Sequence, residues 1–295
     1  MNKAYHIPVM LRESVDFLVN DSAGIYFDGT LGGGGHTAEI LHRLTPAGRL
    51  ISFDADAVAI GHCRERFAEE LGKEGGRLEL RHENFAGADG IPEFQGRVAG
   101  MLLDLGVSSR QLDSASRGIS HRVNTSLDMR FGENGATAEH LLNYETEANL
   151  VRIFREYGEE PFASAIARRI AERRRGFPLR TTYDLRHIIQ DVVPPHLLAR
   201  ALARIFQAVR IAVNDELGVL ERTLTGIVPQ LISGGRIVVI SYHSLEDRIV
   251  KNVFRAFAAD GKLRILTPKP QTPADAEVAE NPRARSAKLR TAEKL

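Results

Sequence analysis

Through the first third of the chain, short runs of aliphatic and β-branched residues alternate with stretches that carry apolar positions at helical spacing. Ile25–Asp28, Arg49–Asp54, Leu78–His82 and Val98–Asp104 read as strands, and Thr37–Leu44 and residues 56–71 read as helices between them. Pro46 to Gly48 and the glycines of 72–76 punctuate the boundaries. Alternation of this kind predicts βαβ units, hence an α/β fold with a mostly parallel, doubly wound sheet.

Beyond Asp104 no strand signal returns until Arg236–Ser241. The interval is too long for a loop, and Ala148–Tyr157, Phe162–Arg175 and Leu197–Leu220 within it are patterned as helices. The expected organisation is therefore a helical insertion over 109–209, with 1–108 and 210–295 as the two parts of one core. Downstream, a helix to Ala259, a strand at Leu263–Leu266, a link from Thr267 to Pro282 and a last strand near Ala287–Ala292 complete the order.

Composition changes this picture little. Of 295 residues 43% are hydrophobic and 26% charged, as in a globular protein with a proper core. A formal charge of +1 excludes a general polycation, so affinity for nucleic acid must come from clustered arginines. Residues 161–214 hold ten arginines, no lysine and three acids, with Arg168, Arg169, Arg173, Arg174 and Arg175 the densest group; Arg283, Arg285, Lys288 and Arg290 form a second. By itself such a run could equally be a solvated helix face. The single cysteine, Cys63, excludes an internal disulfide and a thiolate metal cluster. The N-terminus lacks the charged head and apolar run of a secretory signal, and no stretch is apolar enough to cross a bilayer, so a cytoplasmic protein with no membrane role is expected.

The candidate chemistry starts at Asp28-Gly29-Thr30-Leu31-Gly32-Gly33-Gly34-Gly35-His36, between the first strand and its helix. Glycines there admit positive φ and close approach of a ligand to the backbone. Asp54 ends the next strand at the spacing where a carboxylate accepts from ribose hydroxyls. Phe85 follows the third strand as a possible adenine stack, and Asp104 ends the fourth, so Asp28, Asp54, Phe85 and Asp104 should converge on one crevice. Together they indicate a nucleoside cofactor. Gly33, Gly35 and Ala38 also satisfy a dinucleotide pattern, which leaves an NAD-dependent oxidoreductase open at this point.

From His6 to Lys294 the chain closely resembles the ribosomal RNA small-subunit methyltransferase H family, also called the MraW family. The strings that carry the resemblance include DGTLGGGGH, LLDLGVSSRQLD, LDMRF, YGEE, FQAVRIAVNDEL, SYHSLEDRIVK and AENPRARSAKLR. It implies a class I, Rossmann-like methyltransferase fold and S-adenosylmethionine as cofactor. The activity implied is that of a 16S rRNA (cytosine-N(4)-)-methyltransferase, which modifies the exocyclic amine of a cytidine in the decoding centre. The small ribosomal subunit is then the partner. The family's cofactor contacts fall on Gly34, Gly35, His36, Asp54, Phe85, Asp104 and Gln111. One departure stands out: Thr125-Ser126-Leu127-Asp128-Met129-Arg130 lacks the family's Gly-Pro turn but keeps Asp128 and Arg130.

Methyl transfer from a sulfonium is an in-line displacement, so the protein must aim the acceptor nitrogen and accept hydrogen bonds from its N–H groups. Asp104 is the best-placed carboxylate for that, with a cofactor-side role as the alternative. Many amino-methyltransferases follow this acid with a Pro-Pro-aromatic that stacks the base, whereas this chain has Leu105-Gly106-Val107. Tyr242 is the first candidate to hold the base instead, ahead of His243 and Phe131. RNA contacts are expected from Arg168, Arg169, Arg173, Arg174 and Arg175 in the insertion, and from Arg283 and Arg285. A ribosome-assembly factor that binds cofactor and RNA without catalysis is the competing reading.

Overall fold

The computed structural model describes residues 7–73, 76–106, 117–132 and 134–295. The chain divides into two compact units, Met1–Gly106 with Leu217–Leu295, and Val107–Glu216.

The first unit is built on a seven-stranded sheet of order β3-β2-β1-β4-β5-β7-β6. Its strands are β1 Ile25–Asp28, β2 Arg49–Phe53, β3 Leu78–Arg81, β4 Val98–Asp104, β5 Leu231–Ser241, β6 Leu263–Ile265 and β7 Lys288–Lys294. The first five are parallel; β7 runs antiparallel to both β5 and β6. This is the class I methyltransferase topology. Strand order reverses around β1, which pairs with both β2 and β4, and the carboxyl ends of these strands frame the crevice where α/β sheets bind ligands.

The sheet is apolar on both faces because helices cover both. Tyr26, Leu102, Val238 and Ile240 point into one core with Leu18, Ile40, Leu41 and Ile60, while Phe27, Met101, Leu103, Ile237 and Val239 point into the other with Leu224, Ile227, Val250 and Phe254. That is the alternation a strand imposes on successive side chains. On the second face the Phe27 ring meets Phe53 edge-on at 5.0 Å and Phe94 at 5.5 Å. β4 is buried until Asp104, so its first polar side chain emerges at the crevice.

The second unit is helical: Ala138–Tyr144, Glu147–Glu156, Ala163–Arg173, Thr182–Val192 and Leu198–Asn214 pack on a separate core. Leu150, Ile153 and Phe154, Ile166 and Ile170, Leu185 and Ile189, and Leu202, Phe206 and Val209 lie at helical spacing and are all buried. Thr181 and Asp184 start one helix with a capping box.

Two expectations need correction. Leu197–Leu220 is not one helix: Asp215 adopts φ 47 and closes Leu198–Asn214, and a new helix starts at Glu216. Arg210 therefore lies inside a continuous helix, bonded to Glu216 at 2.8 Å, and the helical unit extends to Glu216. The expected link after Thr267 also contains a helix, Asp275–Glu280. Where the Gly-Pro turn is missing, Gly118 at φ 68 sits against the Ser126 carbonyl, Ser126 bridges to Thr181, and Arg130 holds Asp128 at 2.6 Å.

Candidate active site

The glycine loop is shaped from below by buried polar groups. Asp28 has no exposure, and its carboxylate accepts from the Thr30 amide at 3.0 Å and the Thr37 hydroxyl at 2.7 Å, the latter also 3.0 Å from Ser52. It is a support for the loop and lies beneath the crevice, which corrects its expected place among the ligand-facing strand ends. Burial raises its pKa against these bonds.

Asp54 closes the loop from the side. Its carboxylate accepts from Gly32 N–H and from Asp56 N–H, each at 2.8 Å, and burial raises its pKa from the ordinary value. Loop carbonyls are held by the helix Ala57–Arg66: the Arg66 guanidinium donates to Gly33 and the Cys63 thiol reaches Gly32 at 3.5 Å. Burial pushes that thiol up to about 12, so it stays protonated.

The glycines serve different surfaces. A Cβ on Gly34, where φ is 74, would stand 2.7 Å from the Phe67 ring and 3.0 Å from Cys63, and one on Gly35 would stand 2.8 Å from Pro8. Both are therefore demanded by the protein's own packing. At Gly32, φ 50, the nearest atom is 3.8 Å away; here the loop is open to a ligand.

At the end of β4, Asp104 is nearly enclosed, its side chain 10% exposed. Its N–H donates to the Thr30 hydroxyl at 2.7 Å, and its Oδ1 accepts the Tyr242 phenol at 2.8 Å. Its Oδ2 is 3.9 Å from Nδ1 of the buried His36, whose Nε2 lies 3.2 Å from the Val9 carbonyl. Burial lowers the His36 pKa, so the ring is neutral with Nε2–H donating to Val9 and Nδ1 left as an acceptor facing a carboxylate.

Tyr242 is not free to stack a base. Its ring fills the space beside Gly106, where a Cβ would come within 2.8 Å, and packs on the first core. Burial, with the Asp104 charge, raises its pKa far above that of a free phenol, which fixes it as a donor. His243 caps the helix Ser244–Ala259, and the buried Glu246 carboxylate accepts from the Tyr242 amide at 2.8 Å and that of His243 at 3.3 Å. The Phe131 amide, in the helical unit, donates to Asn214 Oδ1 at 2.8 Å. Phe85 opens a short 3-10 turn at the end of β3, half-buried beside Gly29. Gln111 lies outside the described residues.

Two parts of the site were missed by sequence reasoning. The segment Ile7 to Met10 straps the loop, through Pro8 on Gly35, Val9 on His36 and the Met10 amide on Glu277 at 2.7 Å. It has no periodicity to announce it. Glu246 did leave a signal: it stands three residues after the cap position His243, the spacing of a capping box.

The arginine group of the helical unit is not uniform. Arg169 pairs with Asp191 at 3.4 Å and Glu172 at 3.7 Å, and Arg174 donates to the Leu142 carbonyl at 2.9 Å. Arg168, Arg173 and Arg175 are exposed and donate to no described carboxylate. Arg283 and Arg285 are exposed near the C-terminus, whereas Arg290 is buried on Asp247 at 2.6 Å, with Lys288 at 3.7 Å from the same carboxylate. Among the described residues there is no cluster that could hold a metal ion, and no helix is long and apolar enough to cross a membrane.

The MraW methylase family model matches residues 3–295. The ribosomal RNA small subunit methyltransferase H of Halothermothrix orenii is 44% identical over 311 residues, covering 98% of each chain. That of Geotalea uraniireducens is 45% identical over 316 residues, covering 100% of each. A putative rRNA-methylase structure from Clostridium thermocellum aligns over 98% of this chain and 99% of its own, with a TM-score of 0.46 and 13% identity. The chain belongs to the MraW methylase family.

Proposed function

We propose that this MraW-family chain transfers a methyl group to the exocyclic 4-amino nitrogen of a cytidine in the decoding centre of 16S rRNA, within the small ribosomal subunit. The observation that carries the reading is the enclosed Asp104 with its Tyr242 donor, at the end of β4 and beside the glycine loop. Relatives named as small-subunit rRNA methyltransferases along their full length support the RNA substrate.

S-adenosylmethionine supplies an electrophilic methyl on a sulfonium. The residues present fit it: Asp54 for ribose hydroxyls, the open backbone at Gly32, and the half-buried Phe85 ring for adenine, with the neutral His36 ring beside the loop. Gly34 and Gly35 contribute by letting the loop seat against Phe67 and Pro8.

The 4-amino group of cytosine is a weak nucleophile because its lone pair is delocalised into the ring. A fixed carboxylate at Asp104 accepts from that N–H, orients the lone pair and helps the proton leave. Tyr242 holds the carboxylate in place and cannot serve as the base, since its own proton is retained. Arg168, Arg173 and Arg175, with Arg283 and Arg285, contact the RNA backbone.

Family membership removes the basis for an oxidoreductase. The assembly-factor reading is separated by tritium transfer from labelled S-adenosylmethionine to small subunits, with the modified nucleotide mapped in 16S rRNA from cells with and without the protein. Absence of label sinks methylation; label at another position or atom sinks the decoding-centre cytidine.

A further inference from the structure

Among the described residues, two of the phenylalanine and tyrosine rings are exposed: Tyr144 at 76% and Phe177 at 67%. Both lie at one corner of the helical unit. Tyr144 ends the helix Ala138–Tyr144, and Phe177 follows the end of Ala163–Arg173 by a few residues. The ends are tied by a reciprocal pair, the Asn143 amide donating to the Leu179 carbonyl at 2.8 Å and the Leu179 amide donating to Asn143 Oδ1 at 3.0 Å. Arg174 adds a third tie on the Leu142 carbonyl at 2.9 Å. Tyr144 thus lies one residue, and Phe177 two residues, from that clamp.

Exposing apolar rings in water is unfavourable, and neither is a loose end. Tyr144 lies against the His140 ring, centroids 4.8 Å apart and planes tilted by 34°. Phe177 carries the Arg173 guanidinium over its face at 5.0 Å. Arg175 and Arg180 are exposed close by in sequence, neither side chain held by a described acceptor. Rigid rings with interleaved arginines match what an unpaired nucleic-acid strand offers: phosphates for the guanidinium groups and base faces for the rings.

We propose that Tyr144 and Phe177 form a stacking platform for unpaired bases of single-stranded RNA, with Arg173, Arg175 and Arg180 on its phosphates. The proposal deepens the RNA-methylation reading and rests on it for the identity of the strand. The platform selects unpaired RNA over duplex, because only splayed bases present their faces. It tolerates sequence variation, since every base has a face to stack.

The test measures binding of the full chain to a labelled 12-nucleotide single-stranded RNA of mixed sequence, and to the same strand in a duplex, across a salt series. Wild type prefers the single strand. The doubly substituted Tyr144→Ala, Phe177→Ala chain weakens on single-stranded RNA by a factor on the order of tenfold or more, since a lost stack costs about that much per base. Its salt slope stays unchanged because stacking releases no counterions. Tyr144→Phe with Phe177 intact keeps wild-type affinity, since the ring and not the hydroxyl stacks. Unchanged affinity of the double variant overturns the platform, as does equal wild-type affinity for strand and duplex. Loss of self-association in sedimentation with RNA binding intact also overturns it and assigns the rings to a protein contact. A wild-type chain that binds the oligonucleotide through these rings but transfers no methyl to small subunits sinks the function proposed above and leaves the platform standing.

Discussion

Tyr242 donates its phenolic hydrogen to Oδ1 of Asp104 across 2.8 Å, joining the residue after β5 to the last residue of β4. The bond lets a tyrosine occupy the place beside Gly106 while acting as a polar clamp. Removing only the hydroxyl is the clean perturbation. Tyr242→Phe should lower single-turnover methyl transfer on the order of 10- to 100-fold, the range of a hydrogen bond to a charged group of about 1.5–3 kcal/mol. S-adenosylmethionine affinity by calorimetry should change far less. Equal losses in both would place Tyr242 on the cofactor side. Tyr242→Ala is a poorer test, because it also empties part of the first core.

The glycine loop yields a contrast of two substitutions. At Gly34→Ala the new methyl meets Phe67 and Cys63, so overpacking of about 1–3 kcal/mol adds to left-handed strain of about 1–2 kcal/mol. At Gly32→Ala only the strain applies, because no atom lies within 3.8 Å. Urea denaturation of the ligand-free chains should rank Gly34→Ala clearly below Gly32→Ala. Equal stabilities would refute the packing argument and return Gly34 to a ligand-facing role.

His36 makes stability depend on pH. Its pKa is lowered by burial, so between that depressed value and about 6.5 the unfolded chain binds a proton that the folded chain refuses. Its contribution is fully present above the unfolded value and is lost as pH falls below about 6.5, by up to about 1.4 kcal/mol per pH unit. Replacing it by Gln, which can still donate to Val9, should remove that slope. Unfolding curves from pH 7.5 to 5 that stay parallel for wild type and His36→Gln would mean the ring is charged in the fold.

Much of this was legible in the chain, and the reasons differ by element. β4 announces itself because a central parallel strand is apolar on both faces, and Asp104 is conspicuous as the polar residue that ends it. Asp54 follows from its spacing to the loop. The motif could not say which way a glycine's missing side chain points, so Gly34 read as ligand-facing while the fold turns it toward Phe67. The position of Tyr242 just after β5 does not reveal its bond to Asp104, which depends on Gly106 leaving room for the ring. The break at Asp215 and the strap at Ile7 to Met10 come from single backbone conformations, φ 47 at Asp215 and φ 50 at Met10, that no periodicity encodes.

The arginines show the same limit and provide the last prediction. Five arginines from 168 to 175 look alike in sequence, yet Arg169 is neutralised by Asp191 and Glu172, and Arg174 is spent on the Leu142 carbonyl. Arg168, Arg173 and Arg175 are the exposed members that donate to no described carboxylate. Each phosphate contact to a single strand contributes about 0.7 to the slope of log affinity against log salt. The triple variant Arg168→Gln, Arg173→Gln, Arg175→Gln should therefore flatten that slope by about 2 for single-stranded RNA. S-adenosylmethionine affinity should not change. Arg169→Gln should leave the slope nearly intact, and Arg174→Gln should lower stability, because the Leu142 carbonyl at a helix end loses its donor. Wild-type salt dependence in the triple variant would make these side chains a solvated surface and transfer phosphate binding to Arg283 and Arg285.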